Sequence, residues 1–510
     1  MSTIAQSTPI AVIGAGAMGS GIAQVAAQAG HPVFLFDQAE AALNKGKAGI
    51  AQQLQRRVDQ GKMMQETMDA VLARIHLAHS LQELAPSGLV IEAILENLEI
   101  KQRVFAELEE ICGPEVILAS NTSSLSITAL GSALQRPERL VGMHFFNPAP
   151  VMALVEVILG LATAQSVADT IYATAQAWGK KPVFATSTPG FIVNRVARPF
   201  YAEGLRLLQE QVANAPTLDA LMREAGHFRM GPFELTDLIG HDVNYAVTCS
   251  VFDAYYGDFR FQPSLLQKSL VDAGRLGRKS GQGFYSYDGD AKRPPADTAA
   301  PSTSNADEVI IAGHLGAAEG LRKRCQQMGL KVSERDGPGI IQYGEATLAL
   351  TDGRMATERN ASDGITNLVV FDLAFDYATT PRLAIASATQ TSPTATADAI
   401  ALLQQLGIAV SMVADSPALV LMRTVAMLTN EAADAVLQGV ASAADIDLAM
   451  QAGLNYPEGP LAWSDQLGSG VIHQVLMHLQ ASYAEDRYRP ALLLRKNTFA
   501  KCGFFPETTP

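Results

Sequence analysis

The sequence predicts an α/β sheet domain, an all-helical domain after it, and then a degenerate duplicate of both. Three observations predict this. The chain opens with a strand, a glycine turn, a helix and a second strand. It changes to helical periodicity after Pro189-Gly190. A later helical stretch then repeats that one in constant register.

The first strand is Ile10-Ala11-Val12-Ile13, followed by Gly14, Gly16 and Gly19 and by helical apolar spacing through Ile22, Val25, Ala26 and Ala29. Gly30 stops that helix, and Val33-Phe34-Leu35-Phe36 runs up to Asp37. This is the βαβ unit of a Rossmann-type NAD-binding domain, and each glycine has a physical reason. One permits the tight turn, one admits a pyrophosphate to the backbone, and one lets helix and strand pack closely. The pyrophosphate is expected on the helix N-terminus at Ala17 and Met18, where unpaired N–H groups and the helix dipole favour negative charge. Asp37 is placed to accept hydrogen bonds from the adenine ribose. A carboxylate there repels a 2′-phosphate, so NAD is the expected cofactor rather than NADP. A glycine turn with no ligand is the bland alternative, and the ordered strand, helix, second strand and terminal acid argue against it.

Residues 40 to 75 read as a helical hairpin inserted in the sheet topology. Strand-like runs resume at Leu89-Val90-Ile91, Val116-Ile117-Leu118, Leu140-Val141, Leu154-Val155 and Pro182-Val183-Phe184, which predicts a largely parallel sheet. Residues 191 to 275 carry helical periodicity, and Asp288 to Asp307 is rich in Pro, Ala, Ser, Thr and Asp. The expected division is 1–188 for the NAD-binding domain, 189–287 for the helical domain, 288–307 for a linker, 308–412 for a reduced Rossmann-like domain and 413–510 for a second, inactive all-α domain.

The duplication rests on a gapless register. Thr188-Pro189-Gly190-Phe191 lines up with Ser416-Pro417-Ala418-Leu419, and the same offset pairs Arg195 with Arg423, Glu203 with Glu431, Asp219 with Asp447, Gly231-Pro232 with Gly459-Pro460 and Asp237 with Asp465. About a dozen identities over about 50 residues in one register read as an internal repeat. Upstream, Leu383-Ala384-Ile385-Ala386-Ser387 resembles Val116-Ile117-Leu118-Ala119-Ser120, which places the counterpart of Ser123 near Gln390 and leaves no room for a counterpart of the loop after His144. The run Val309-Ile310-Ile311-Ala312-Gly313 lacks the three-glycine pattern, so no second cofactor site is expected.

At 510 residues several domains are expected. The composition, 48% hydrophobic and 17% charged, is that of a globular protein. A net charge of −13 argues against nucleic acid as a partner. Cys112, Cys249, Cys325 and Cys502 form no C-x-x-C pair, so neither a disulfide framework nor a metal site is expected, and a reducing cytoplasm fits. No signal sequence and no membrane span are expected.

Among the nine histidines, His31 reads as a turn residue, and His76 and His79 as flanking a helix end. His144 follows the strand Leu140-Val141-Gly142-Met143 and opens the run His144-Phe145-Phe146-Asn147-Pro148. Glu156 lies inside Leu154-Val155-Glu156-Val157-Ile158, and a carboxylate among aliphatic residues is costly to bury unless something pairs with it. The imidazole of His144 is the expected partner. Read singly, the two are a core histidine and a surface glutamate.

The runs Ser120-Asn121-Thr122-Ser123-Ser124, His144 to Pro148, Pro189 to Arg195 and Gly277-Arg278-Lys279-Ser280-Gly281-Gln282-Gly283-Phe284-Tyr285 resemble the 3-hydroxyacyl-CoA dehydrogenases, in the family's order over residues 9 to 287. The long form with a reduced second unit resembles the dehydrogenases of bacterial phenylacetate breakdown, which implies 3-hydroxyadipyl-CoA or 3-hydroxybutyryl-CoA as substrate. The resemblance implies that His144 takes the proton of the 3-hydroxyl, that Glu156 orients it, and that Ser123 and Asn194 hydrogen-bond the substrate oxygen. It places Glu96, Lys101, Asn147 and Lys279 at NAD or its surroundings, and Lys62 at the coenzyme A phosphates; for Lys101 and Lys62 a solvated surface charge is the alternative. The second half has Met422 in place of Asn194 and is expected to be inactive. Its helical domain is expected to pair with the first within one chain, with a homo-oligomer a further option. Two other readings stand beside this one. One is another two-domain NAD-linked hydroxyacid or sugar-acid dehydrogenase, which typically uses a lysine base. The other is a non-catalytic NAD-sensing protein on the same scaffold.

Overall fold

A computed structural model describes residues 2–289 and 294–506. Of the expected linker, 290–293 lie outside the described residues, as do 507–510 of the last domain.

The first half runs β1 (Ile10–Ile13), α1 (Ala17–Gln28), β2 (Val33–Phe36), α2 (Glu40–Asp59), α3 (Gln65–Ala73) and β3 (Ile75–Ala78). It continues with β4 (Leu89–Glu92), α4 (Leu98–Cys112), β5 (Ile117–Ser120), α5 (Ile127–Gly131), β6 (Leu140–Phe145), β7 (Leu154–Leu159), α6 (Gln165–Ala177) and β8 (Lys181–Thr186). Six helices follow: α7 (Val193–Val196), α8 (Arg198–Gln209), α9 (Ala215–Glu224), α10 (Pro232–Ile239), α11 (His241–Ala254) and α12 (Leu265–Asp272). The second half runs β9 (Glu308–Ala312), α13 (Gly320–Gln327), β10 (Lys331–Arg335), β11 (Ile340–Tyr343), β12 (Ala346–Leu350), α14 (Ala356–Asp363), β13 (Leu368–Phe371), β14 (Arg382–Ser387), α15 (Pro393–Gln405) and β15 (Ala409–Met412). It ends with α16 (Leu421–Leu437), α17 (Ala443–Leu454), α18 (Pro460–Leu467), α19 (Ser469–Tyr483) and α20 (Leu492–Ala500).

The chain divides into two compact units, Met1–Arg195 with Gln438–Leu454, and Val196–Leu437 with Asn455–Pro510. The first unit is a sheet of order β3-β2-β1-β4-β5-β6-β7-β8. It is parallel through β6, then β7 reverses and β8 runs parallel to β7. Strands buried on both faces carry continuous apolar runs, which is why β1, β4 and β5 were readable in the sequence. His76 lies within β3, not at a helix end; the short run Ile75-His76-Leu77-Ala78 carries too little apolar pattern to announce an edge strand. Helix α17 belongs to this unit although its sequence comes from the second half. Thr186 N donates to Val440 O at 2.8 Å, and Gly453 lies so close to Leu154 that a Cβ would stand 2.7 Å from its Cδ2.

The second unit holds α8 to α12 and a reduced sheet of order β10-β9-β11-β12-β13-β14-β15. The equivalent helices α8 and α16 pack together here, and Arg423, fully buried on α16, donates to Glu203 on α8 at 2.7 Å. The helical copies therefore meet within one chain. The segment expected as a linker is strapped down where it is described: Ala299 N donates to Val410 O at 2.8 Å and Asp297 N to Thr217 Oγ1 at 2.9 Å.

The sheet topology corrects the upstream register of the repeat. In the first sheet His144 faces Glu156 across the antiparallel β6–β7 pair. In the second, β13 and β14 form the equivalent antiparallel pair, with Phe371 opposite Ile385 and Asp372 N donating to Ala384 O at 2.9 Å. β14 is thus the counterpart of β7, not of β5, and the offset that aligns Pro189 with Pro417 holds back to the strands. Asp372 stands where His144 does, and Ala384 where Glu156 does. The loop after His144 has its counterpart between β13 and β14, so its histidine was replaced rather than its length deleted. The turn after β9 is also closed: a Cβ on Gly313 would lie 2.0 Å from Gly337 O, in the connection that leads from β10 past the end of β9 into the antiparallel β11.

Candidate active site

The site lies at the carboxyl ends of β1, β4, β5 and β6, where an open α/β sheet offers its binding crevice. At Gly14 φ is +99°, and a Cβ would stand 2.5 Å from Ala93 O. A Cβ on Gly19 would fall 1.7 Å from Gly14 O, so helix and turn close only with glycine at both places. Gly16 differs, since a Cβ there would meet nothing within 4 Å. Gly16 is also the N-cap of α1 and supplies no capping side chain, so the first-turn amides at Ala17 and Met18 face that open space without a side-chain partner. This fits a pyrophosphate. Asp37 accepts from Ala15 N at 2.8 Å and from Ala39 N at 2.9 Å, which fixes its carboxylate beside the turn.

His144 Nδ1 lies 2.6 Å from Glu156 Oε2, with His144 6% exposed and Glu156 fully buried. The other Glu156 oxygen accepts from Ile192 N and Val193 N, both at 3.0 Å. One buried carboxylate thus orients the imidazole and holds the start of the segment that carries Asn194. Engagement of Nδ1 leaves Nε2 as the ring nitrogen available to a substrate. Phe146 and Phe191 flank the ring, with centroids 4.5 and 6.0 Å away. Asn194 Nδ2 donates to Ser123 O at 3.4 Å, so these two residues are brought together.

Glu96 shapes the Ser123 loop. Its Oε1 accepts from Thr122 Oγ1 at 2.6 Å, Ser123 N at 3.0 Å and Ser124 N at 3.2 Å. Burial opposes its ionisation, but Lys101 at 3.1 Å and the bond from Thr122 outweigh that and hold its pKa below the ordinary value. Lys101 is fully buried and not a surface charge; its Nζ lies 2.6 Å from Glu92 Oε1. Glu92 also accepts from Ser120 Oγ at 2.7 Å and from Ile94 N at 2.7 Å. Sequence reasoning missed Glu92 and Ser120. The available signal was the same as for Glu156, a carboxylate closing an apolar run, Leu89-Val90-Ile91-Glu92. It also missed Lys180, whose buried Nζ donates to Ala149 O at 2.5 Å and Met152 O at 2.9 Å and so pins the loop after His144. Asn121 Oδ1 holds the start of that loop through Phe145 N at 2.8 Å.

The remaining expected residues are exposed. Asn147 is exposed in the loop, and Lys62 is exposed in the turn between α2 and α3. Lys279 belongs to the second unit, where it pairs with Asp242 at 2.5 Å. Among the described residues no cluster of His, Cys, Asp or Glu is arranged to hold a metal, and no helix is long and apolar enough to cross a membrane.

A dinucleotide-binding sheet that carries a buried His–Glu pair at the end of β6, on the same carboxyl edge as its glycine turn, is the framework of an NAD-dependent dehydrogenase. Models of 3-hydroxyacyl-CoA dehydrogenases match most of the chain: the NAD binding domain at residues 9–188, the C-terminal domain at 190–287 and again at 419–502, and the 3-hydroxybutyryl-CoA dehydrogenase reduced Rossmann-fold domain at 348–417. The chain is 45% identical to a 3-hydroxyadipyl-CoA dehydrogenase of Escherichia coli (strain K12), over 97% of this chain and 98% of that protein. It is 45% identical to a probable 3-hydroxybutyryl-CoA dehydrogenase of Deinococcus radiodurans, over 54% of this chain and 99% of the other. The crystal structure of 3-hydroxybutyryl-CoA dehydrogenase from Escherichia coli K12 substr. MG1655 superposes with a TM-score of 0.89 at 44% identity, covering 98% of this chain and 99% of that one. The chain belongs to the 3-hydroxyacyl-CoA dehydrogenase family, and it is an NAD-dependent oxidoreductase.

Proposed function

We propose that the chain oxidises a 3-hydroxyacyl-CoA with His144 as general base, and that its substrate is 3-hydroxyadipyl-CoA or 3-hydroxybutyryl-CoA, the compounds named for its relatives. The observation that carries the reading is the 2.6 Å contact of His144 Nδ1 with buried Glu156. His144 Nε2 takes the proton of the 3-hydroxyl, and Glu156 stabilises the imidazolium that results. Ser123 and Asn194 donate hydrogen bonds to the substrate oxygen, their neutral groups suiting an atom that becomes a carbonyl. NAD, when bound, supplies the acceptor for the hydride leaving C3.

Gly14, Gly16, Ala17, Met18 and Gly19 hold the cofactor pyrophosphate, and Asp37 its adenine ribose. Lys101 acts on the cofactor's surroundings through Glu96, because its own ammonium has no exposed surface. Asn147 and Lys279 complete those surroundings, and Lys62 meets the coenzyme A phosphates. The division at 188, 287, 307 and 412 is retained, with α17 supplied back to the first sheet and α16 standing in for the partner helix of a second subunit. A cytoplasmic location suits the four unpaired thiols.

The test is oxidation of NADH by the purified chain with acetoacetyl-CoA, followed by absorbance. Turnover that disappears in His144→Ala supports the reading. No oxidation at abundant enzyme favours a non-catalytic NAD-binding protein.

A further inference from the structure

Lys180 stands between α6 and β8, in the same unit as His144 and the glycine turn. It is 9% exposed, and among the described residues no carboxylate pairs with it, whereas the other buried lysine, Lys101, has Glu92 and Glu96. Burying an ammonium without a counter-charge is costly unless its donors are used. Two of its three donors go to the loop 146–153, to Ala149 O at 2.5 Å and Met152 O at 2.9 Å, and the next residue, Lys181, donates its amide to Ala153 O at 2.8 Å. That loop joins the strand of His144 to the strand of Glu156. Phe146 in it packs against the His144 ring, and Ala149 and Pro150 pack on α1, where a Cβ on Gly21 would lie 3.2 Å from Ala149 Cβ and 3.1 Å from Pro150 Cδ.

The repeat supplies an internal control. The register that aligns Pro189 with Pro417 sets Ala149, Met152 and Lys180 against Tyr377, Thr380 and Ile408. The backbone junction is the same in both copies. Ile408 N donates to Leu403 O at 3.0 Å as Lys180 N does to Ala175 O at 3.0 Å, and Ala409 N donates to Pro381 O at 2.8 Å as Lys181 N does to Ala153 O. Gly320 of α13 meets Tyr377 and Ala378 as Gly21 of α1 meets Ala149 and Pro150. The same two carbonyl positions are again held by a cation, but a different one. Arg324 of α13 donates from Nη1 to Tyr377 O at 3.3 Å and to Thr380 O at 2.8 Å.

The loop is thus clamped by a cation in both copies, from two different elements. Where Asp372 has replaced His144, the clamp comes from the helix after the first strand. Where the histidine is kept, it comes from the start of the last strand, and α1 meets the loop through the apolar contact at Gly21. A clamp on α1 would carry any adjustment of that helix to a bound dinucleotide into the loop; a clamp at β8 ties the loop to the sheet instead. We infer that Lys180 is a positioning residue for the reaction, holding the loop 146–153 so that Phe146 keeps the His144 imidazole in register with substrate. This rests on the reaction proposed above, with His144 as its base. A displacement of about 1 Å at a reacting group costs about 10²-fold in rate.

The experiment makes the same loss in each copy of the full-length protein, Lys180→Met and Arg324→Met. It measures Tm, the Kd for NADH and kcat for reduction of acetoacetyl-CoA, with rates taken below the melting transition of each variant. Both substitutions should lower Tm, because each leaves two carbonyls without their donor. Lys180→Met alone should lower kcat, by about 10²-fold, with the Kd for NADH nearly unchanged because the glycine turn is untouched. Lys180→Gln, whose neutral amide still donates, should give a smaller fall in kcat in the same direction, and it decides the matter if the methionine variant does not fold. A Lys180 variant that melts early but keeps the wild-type kcat, or an Arg324→Met that loses kcat to the same degree, makes the clamp purely structural and overturns the inference, while His144 stands. A wild type that does not reduce acetoacetyl-CoA overturns the reaction itself, and the positioning role with it.

Discussion

Glu156 serves two partners at once: one oxygen lies 2.6 Å from His144 Nδ1, and the other accepts the amides of Ile192 and Val193 at 3.0 Å. The His144 imidazole and the segment bearing Asn194 are therefore fixed by the same buried carboxylate. Glu156→Gln keeps the shape but removes the charge that steadies an imidazolium. We expect kcat to fall by about 10²-fold or more with Tm nearly retained. Glu156→Ala should in addition lower stability by about 1–3 kcal/mol, because two buried amides lose their acceptor. Thermal unfolding and initial rates on the two variants separate these effects.

The glycine turn makes a second division. Gly14→Ala places a Cβ 2.5 Å from Ala93 O at a φ of +99°, so it should destabilise the fold by more than about 1 kcal/mol. Gly16→Val enters open space and should leave Tm unchanged while weakening NADH binding. A fluorescence titration of NADH, read beside the melting curves, checks the contrast.

The Glu92–Lys101 pair is fully buried. Glu92→Gln should cost roughly 3–5 kcal/mol, the usual penalty for leaving one charge of such a pair. The double variant Glu92→Leu with Lys101→Met should recover much of that stability and still lower kcat/KM, since Glu96 loses the ammonium that helps fix the Ser123 loop. Denaturant melts and rates on the single and double variants give the coupling.

Asp372, at the place of His144 in the repeat, accepts the amides of Leu373, Val420, Leu421 and Met422. Burial pushes its pKa from 3.8 up to about 6 against the pull of those bonds. The folded state therefore holds this proton more tightly than the unfolded state does. The stability it contributes is present below pH 3.8 and is lost as the pH rises to about 6. Asp372→Asn should accordingly gain on the wild type between pH 4 and pH 7, by on the order of 2–3 kcal/mol. Melting curves of both proteins at the two pH values test the sign.

Local rules made much of this legible. The glycine turn, Asp37 and the His144–Glu156 pair follow from short-range spacing and from the cost of a carboxylate among aliphatic residues. β3 escaped because Ile75-His76-Leu77-Ala78 offers only a weak pattern. Glu92 and Lys180 escaped because their partners, at Lys101 and Ser120 and in the loop at Ala149 and Met152, are set by tertiary contact. The reduced sheet misled through likeness of composition: Leu383 to Ser387 resembles β5 in residue type but occupies the β7 position, and strand pairing reveals that where side-chain character does not. Past the helical repeat, Asp465 accepts from Phe504 N at 2.9 Å and Phe505 N at 3.0 Å, as Asp237 accepts from Phe284 N at 2.9 Å and Tyr285 N at 3.0 Å. The duplication thus extends to a terminal Gly-Phe-aromatic segment that a gapless register could not align.

The proton acceptor is tested most directly by His144→Ala, with turnover of 3-hydroxybutyryl-CoA and NADH affinity measured on one preparation. Turnover should fall by about 10²–10⁴-fold with the cofactor Kd nearly unchanged. Near-normal turnover, or a loss of NADH binding that accounts for the whole effect, would contradict the assignment of His144 as the base.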